Sequence, residues 1–419
     1  MPAAGRLTGC LRISKRPESD GRHAVVMSIL DSLRSLVAAP LPAADYRKAS
    51  VSWDARGRAW AASILRRRFR RVGHALCEPG GLPQAGIHRV LVCRPNHRLG
   101  NSVLISPLIA EIEALYPGAE IDILGSYATD CLYAHRFSVR TVFVLPGKIA
   151  RHLWLSAGVL RALRRSRYDL AIDACNGSQS GRIVLALAQA RYKLGFPDPK
   201  LNPASAWFAL TWPDHLAHRS VFLLRQACGR ASRPDYPPLN LDLTPDEKRE
   251  AAEVLARLCG GSREQCGATL AIFPNATGAK CYGEDWWQSF VDTFQSLCPQ
   301  VRLIDLLAAH GRSQLGSRLT PYYSRNLRRM AAMTACMDGV ISADCGVMHL
   351  AAASGTPTLG LFSVTDPAKY APYGGANAAL DTRGMDAVSV ATAAAQWCSS
   401  MLSVRANADR VSTLLDPAK

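Results

Sequence analysis

The segment Val340-Ile-Ser-Ala-Asp-Cys-Gly-Val-Met-His-Leu-Ala-Ala-Ala-Ser-Gly-Thr-Pro-Thr-Leu-Gly-Leu-Phe362 decides the fold. A β-type run ends at Ser342, Gly346 supplies a turn, and a helix opens near Met348. A second β-type run, 358–362, follows Gly355, Thr356 and Pro357. Two parallel strands need a crossover connection, so strand, turn, helix and strand in this order make one unit of a parallel sheet. The unpaired amides at the start of the helix, Gly346, Val347 and Met348, coincide with the positive end of its dipole and form an anion site. Gly346 lets the backbone approach such an anion closely, and His349 in the first turn donates a hydrogen bond to phosphate. Asp344, at the strand end, orients the loop or accepts from a sugar hydroxyl.

The same alternation extends outward. Residues 269–273 and 301–306 read as strands, and 286–298 and 327–336 as helices. Thr244 and Pro245 provide a cap and a first helical residue for a helix over 245–258. An earlier series begins at Ile87: a strand over 89–93, a Pro/Asn/Gly loop, a helix over 102–115 and a strand over 120–124. Further strands are expected at 141–145 and 170–173, separated by a helix over 153–167. Residues 195–238 are rich in Pro, Trp and turn residues, and the domain boundary falls just after them. The expected architecture is α/β: two doubly wound, Rossmann-like domains, 87–240 and 241–395, facing a cleft. Ligands of such sheets sit at the carboxyl ends of the strands. Residues 396–419 form a helical tail, and 1–86 a basic extension.

That extension carries fifteen Lys/Arg against six Asp/Glu, within a chain of 419 residues and net charge +17. Helices are expected over 26–38 and 55–72, the second holding Arg66, Arg67, Arg68, Arg70 and Arg71 beside Trp60, Ile64 and Phe69. This pattern suits either a helix on a membrane surface or a solvated helix packed on the protein itself. Met27 is an alternative start. The positive charge attracts polyanions: an acidic membrane face, an anionic glycolipid or nucleic acid. Nucleic acid is the weakest of these, since no zinc finger, RNP motif or helix-turn-helix accompanies the charge. The longest apolar stretches, such as 350–362, contain Gly, Thr, Ser and Pro and fall short of a membrane span. No apolar leader precedes a cleavage site, and the thirteen cysteines are odd in number and lie in packing contexts, so a cytoplasmic, reduced protein is expected. No cysteine or histidine spacing suggests a metal, and no cofactor is expected.

The 340–362 string resembles the Asp-Thr-Gly-Pro-Met-His-Leu-Ala-Ala-Ala-x-Gly-Thr-Pro signature of the heptosyltransferase-like glycosyltransferases, and Ser363-Val-Thr-Asp-Pro367 resembles that family's continuation. Two further segments match it. Ile272-Phe-Pro-Asn-Ala-Thr-Gly-Ala-Lys-Cys-Tyr-Gly-Glu-Asp-Trp-Trp287 resembles the family's strand, polar loop and Lys-x-Trp, with Tyr282 in place of tryptophan. Lys280 falls on the family lysine that contacts donor phosphate, and Asn275, Thr277 and Gly278 supply loop contacts. Val90-Leu-Val-Cys-Arg-Pro-Asn-His-Arg-Leu-Gly-Asn-Ser-Val-Leu-Ile-Ser-Pro-Leu108 resembles the family's Leu-Gly-Asp loop, except that Asn101 stands where the family has its proposed aspartate base. A carboxamide takes no proton at neutral pH. Asn101 then hydrogen-bonds the acceptor, and the base is sought elsewhere: His97 in the same loop, since imidazole suits a base near neutrality, or Asp173. His97 also reads as a loop residue that binds phosphate or acceptor.

The resemblance covers roughly 88–395 and is thin between 126 and 238. It implies a GT-B fold and an inverting, metal-independent transferase. The donor would be a nucleoside-diphosphate sugar, ADP-heptose above all, and the acceptor an anionic glycolipid such as the lipopolysaccharide core, with peripheral contact at the inner membrane. Two alternatives remain at this level: a transferase for another nucleotide sugar, and a non-catalytic scaffold that lost its base.

Overall fold

The computed structural model describes residues 76–147, 153–230, 235–261 and 266–415. The helices expected over 26–38 and 55–72 lie outside the described residues. In the first half, β1 (Arg89–Cys93), β2 (Glu120–Gly125), β3 (Val139–Val144), β4 (Arg167–Asp173) and β5 (Gln189–Leu194) form a parallel sheet in the order β3-β2-β1-β4-β5. The second half builds a parallel six-stranded sheet, β11-β10-β9-β6-β7-β8. Its strands are β6 (Ala268–Phe273), β7 (Val301–Leu306), β8 (Thr320–Tyr322), β9 (Gly339–Ala343), β10 (Thr358–Phe362) and β11 (Ala378–Asp381). Central strands such as β1 and β9 are apolar runs buried on both faces, as helices on both sides of a parallel sheet require.

The helices follow the crossovers: α1 (Leu99–Val103), α2 (Ser106–Leu115), α3 (Tyr127–Tyr133), α4 (Leu153–Arg165), α5 (Gln179–Leu187) and α6 (Leu216–Ala227) in the first half. The second half holds α7 (Pro245–Cys259), α8 (Glu284–Leu297), α9 (Leu327–Ala335), α10 (Gly346–Ala353), α11 (Pro367–Tyr370) and α12 (Ala387–Leu415). Thr244 and Glu247 close a reciprocal capping box on α7, with Pro245 in its first turn, as expected. Among the described residues no helix is long and apolar enough to cross a membrane.

Several elements depart from expectation. The single helix expected over 102–115 is two, α1 and α2, interrupted at Leu104 and Ile105. Pro107 is the cause: it has no amide to donate and its ring would strike the carbonyl of Val103 in a continuous helix. The turn-rich 195–238 segment contains α6, which is buried along nearly all its length and so lacks a clean polar face. Residues 76–86, grouped by sequence with the extension, pair with the first half: the Cys77 amide donates to Lys193 O at 2.8 Å and the Leu82 amide to Ala227 O at 2.8 Å. The C-terminal helix starts at Ala387, and Val390, Ala391, Ala394 and Cys398 are fully or nearly fully buried in the second-half core.

One apolar cluster spans the two sheets, joining Val90 and Leu170 to Ala271, Ile304 and Leu350, while the other face of each sheet packs on a core of its own half. Arg328 on α9 ties the halves together. It donates to Leu132 O (2.9 Å) at the end of α3, to Leu241 O (3.1 Å) and Asp242 O (3.0 Å) in the connection, and to both oxygens of Glu247 on α7. In each sheet the strand order reverses at one place, beside β1 and β4 in the first and beside β6 and β9 in the second. Crevices form at such reversals, outside the carboxyl ends of the strands.

Candidate active site

At the second reversal, the loop after β6 meets the loop after β9. The chain leaves β6 through Asn275, turns at Gly278 (φ +63°) and makes one 3-10 turn over Gly278–Lys280. Lys280 Nζ then donates to Asp344 Oδ2 at 2.6 Å, and the Thr365 hydroxyl donates to the same oxygen. Asp344 is 5% exposed, so this carboxylate is a fixed anchor that aims the lysine across the mouth of the crevice. The ammonium also lies 5.9 Å from the centre of the Tyr370 ring. Tyr282 does not face the crevice as a ligand group: its hydroxyl bonds Thr382 Oγ1 at 2.6 Å and its ring stacks on Trp286 at 4.1 Å, fastening the loop to α8.

Helix α10 begins at Gly346 with Cys345 as its cap; the buried Cys345 thiol, a weak acceptor, faces the Val347 and Met348 amides, and no other side chain among the described residues caps them. These are the amides at which the sequence reading expects an anion. Met348 offers only its backbone, since its side chain is fully buried against Gly360 of β10. Val347 is half-buried. His349 is 3% exposed, and its buried Nδ1 has no hydrogen-bond partner among the described residues. Burial pushes this imidazole down to about 4, against the pull of Asp344, so the ring is neutral at pH 7. Thr277 and Gly278 are exposed at the rim. Asn275 is turned inward, its Oδ1 accepting from Gln314 Nε2 at 3.2 Å while its Nδ2 has no partner among the described residues.

At the first reversal, Arg94 spans the end of β1. Its guanidinium donates to Ala174 O, just past β4, and to Asn101 Oδ1 at 3.0 Å. Arginine has no acceptor, so the carbonyl of Asn101 faces Arg94 and its NH₂ group faces away. Asn101 therefore presents a donor to the crevice. His97 is exposed, with its ring beside Gly147. Asp173 is 2% exposed: its Oδ1 accepts from the Cys175 amide at 3.0 Å, and α5 crosses above it at Gly181, where a methyl group would lie 2.2 Å from Oδ1. Burial pushes its carboxyl up to about 7, opposed by the Cys175 amide, Arg94 and Arg182.

The two loops touch. A Cβ on Gly346 would lie 2.7 Å from Leu99 Cβ and 2.9 Å from Gly100 N, and one on Gly100 would lie 2.8 Å from His349 Cδ2. Glycine on both sides brings the start of α1 against the start of α10, so Asn101 stands next to the residues that abut the first turn of α10. The structure thus joins Gly346, His349 and Asn101 at one seam, and Lys280 with Asp344 at another end of the same crevice. His97 stays at the rim, and Asp173 is buried beneath α5. Sequence reading passed over Arg94, Gly100, Thr365 and Tyr370. Thr365 lay within the quoted continuation, and its hydroxyl was the only signal; Arg94 was one basic residue among fifty Lys and Arg.

A family model described as glycosyltransferase family 9 (heptosyltransferase) matches residues 157–383, just over half of the chain. Among solved structures, E. coli heptosyltransferase WaaC with ADP is similar at TM-score 0.58 and 18% identity, over 75% of this chain and 99% of that one. WaaC with ADP-2-deoxy-2-fluoro heptose gives 0.56 and 19%, over 74% and 99%. E. coli ADP-heptose lps heptosyltransferase II gives 0.57 and 17%, over 76% and 99%. At these identities the likeness establishes the fold. No curated protein sequence matches the chain.

Proposed function

The chain belongs to glycosyltransferase family 9 and is a glycosyltransferase, and we propose that it moves heptose from ADP-heptose to a lipopolysaccharide core or a related cell-surface glycan, with inversion and without a metal ion. The observation that carries this reading is the seam at which the first turn of α10 meets the Leu99–Asn101 turn, with the Lys280–Asp344 pair at the other end of the same crevice. That pairing puts the anion site of one half within reach of the other half's loop, as in-line transfer between a bound donor and a bound acceptor demands.

The donor diphosphate lies on the amides of Gly346, Val347 and Met348, with Lys280 on its outer side and Asn275, Thr277 and Gly278 along the approach. As the glycosidic bond breaks, charge grows on the leaving phosphate, and the amides and Lys280 meet it without reorganising. Asp344 holds Lys280 in place until the diphosphate competes for it. His349, neutral, donates one ring hydrogen at the inner end of the site. Asn101 donates its NH₂ to an acceptor oxygen and orients it for attack on the anomeric carbon from the opposite face. His97, exposed on the same loop, takes the hydroxyl proton; Asp173, with its carboxyl raised towards neutrality, is the second candidate for that role. The chain works on the cytoplasmic face of the inner membrane.

Calorimetric titration with ADP, UDP and GDP in EDTA, on the wild type and on Lys280→Ala, tests the donor site. ADP binding that survives EDTA and weakens at least tenfold in the variant is expected, given about 1.5–3 kcal/mol for a charged hydrogen bond. Preference for UDP or GDP would move the reading to another nucleotide sugar, and loss of ADP affinity in EDTA would overturn metal independence.

A further inference from the structure

Helix α4 turns an unusual face to solvent. Its inner side is held by Leu163, fully buried, with Val159 and Leu160 packed on the first-half core. Its outer side carries Trp154, Gly158, Arg161 and Arg165, all exposed and spaced so that they fall on one line down the helix. Trp154 is 93% exposed and the adjacent Leu155 46%. Arg164 is exposed beside that line, Arg167 follows at the start of β4, and α4 contains no acidic residue. A tryptophan left almost wholly in water at the head of an acid-free, arginine-bearing face gains nothing for folding, and calls for a partner that is apolar in one layer and anionic in the next.

We infer that this face of α4 docks the enzyme on an anionic lipid bilayer. Trp154 and Leu155 enter the interfacial layer, where tryptophan's apolar ring and polar N–H are both satisfied. Arg161, Arg164 and Arg165 pair with lipid phosphates. Topology sets the purpose. Strand β3 feeds α4 from its carboxyl end, and its neighbour β2 feeds Tyr127, 73% exposed, from the same end. The Arg94–Asn101 loop leaves β1, next in the sheet, at that end too. The head of the docking face, Trp154 and Leu155, therefore flanks the edge on which the acceptor is bound, while the arginines run back along α4 towards the edge where β4 begins; a lipid-anchored acceptor reaches Asn101 from the Trp154 end without leaving the membrane. This purpose rests on the glycolipid reading proposed above; the docking itself does not.

The test is co-sedimentation of the full chain with vesicles of phosphatidylglycerol and phosphatidylethanolamine, against vesicles of phosphatidylcholine. Binding to the anionic vesicles alone, released by salt, is expected. The variant R161E/R164E/R165E should lower the partition coefficient by about 100-fold or more, at about fivefold per arginine, and W154A/L155A should lower it by at least about tenfold. Brominated lipid should quench tryptophan emission in the wild type, and Trp154→Phe should lose that quenching while still binding. All these side chains are exposed, and an unchanged circular dichroism spectrum and melting temperature certify each fold. Wild-type binding by either multiple variant, or equal quenching of Trp154→Phe, would overturn the docking face and assign the contact elsewhere. Failure of ADP binding would instead sink the donor reading and leave the vesicle result standing.

Discussion

Replacing Gly346 with alanine tests whether the seam between the halves is part of the working enzyme. Gly346 is not among the residues at positive φ, so alanine's backbone is allowed and the cost is steric. The new methyl would lie 2.7 Å from Leu99 Cβ, 2.9 Å from Gly100 N and 3.0 Å from Leu99 Cγ. Non-bonded carbons rest at about 3.5–4.0 Å, so the loops must part by about 1 Å. Two of the three obstructions are backbone or Cβ atoms that no rotamer change can move. Overpacking of this kind costs about 1–3 kcal/mol. A displacement of about 1 Å between Asn101 and the donor costs on the order of 100-fold in turnover. Donor turnover measured by ADP release should therefore fall by about that factor, with a lower melting temperature. ADP affinity also falls, because the Gly346 amide lies in the proposed donor site, but by less than turnover, since Lys280 and Asp344 are untouched. Leu99→Ala will not rescue the variant, since it removes only the farthest of the three atoms. Wild-type turnover and melting temperature in Gly346→Ala would refute the claim that the halves meet here in the active state.

Two other substitutions probe what the sequence did not disclose. Asp173 has its carboxyl raised from the ordinary range to about 7 in the folded chain. The folded state therefore keeps a proton that the unfolded state releases above about pH 4, and stability falls as pH rises from about 4 to 7 and stays low above it. Asp173→Asn removes this penalty, so urea denaturation should find the variant more stable by about 2–4 kcal/mol at pH 8 and nearly equal to wild type at pH 4; a gain independent of pH would contradict the assignment. Arg328→Ala leaves three carbonyls without this donor and Glu247 without its cationic partner, at a cost of about 3 kcal/mol, the low end for a broken buried pair because Glu247 reaches solvent and keeps the Thr244 donors. A loss under about 1 kcal/mol in urea would mean that Arg328 does not hold the halves together.

The alternation of elements was legible where segments are apolar and bounded by turn residues. β1, β7 and β10 end where the sequence said they would, and Thr244 with Pro245 announced α7 through a local cap. What escaped was structure whose signal is not local. β5 (Gln-Ala-Arg-Tyr-Lys-Leu) lies at a sheet edge and alternates charged residues outward, so it shows no apolar run. β8 contains Pro321, which only an edge strand accepts. α6 is covered on nearly every side and had no stripe to read.

The candidate site divides in the same way. Sequence alone determined the chemistry available at each loop: an unpaired helix start at Gly346, a cation at Lys280, and a carboxamide at Asn101 where a base was expected. Those properties belong to single residues or to one turn of backbone. Only the tertiary structure decided how they are used, because the deciding contacts join residues far apart in the chain. Arg94 dictates which end of Asn101 faces the crevice, Asp344 and Thr365 aim Lys280, and Gly100 closes over His349. Burial, which no sequence pattern states, keeps His349 neutral and Asp173 close to protonation at pH 7, since transferring charge out of water costs more than its neighbours return.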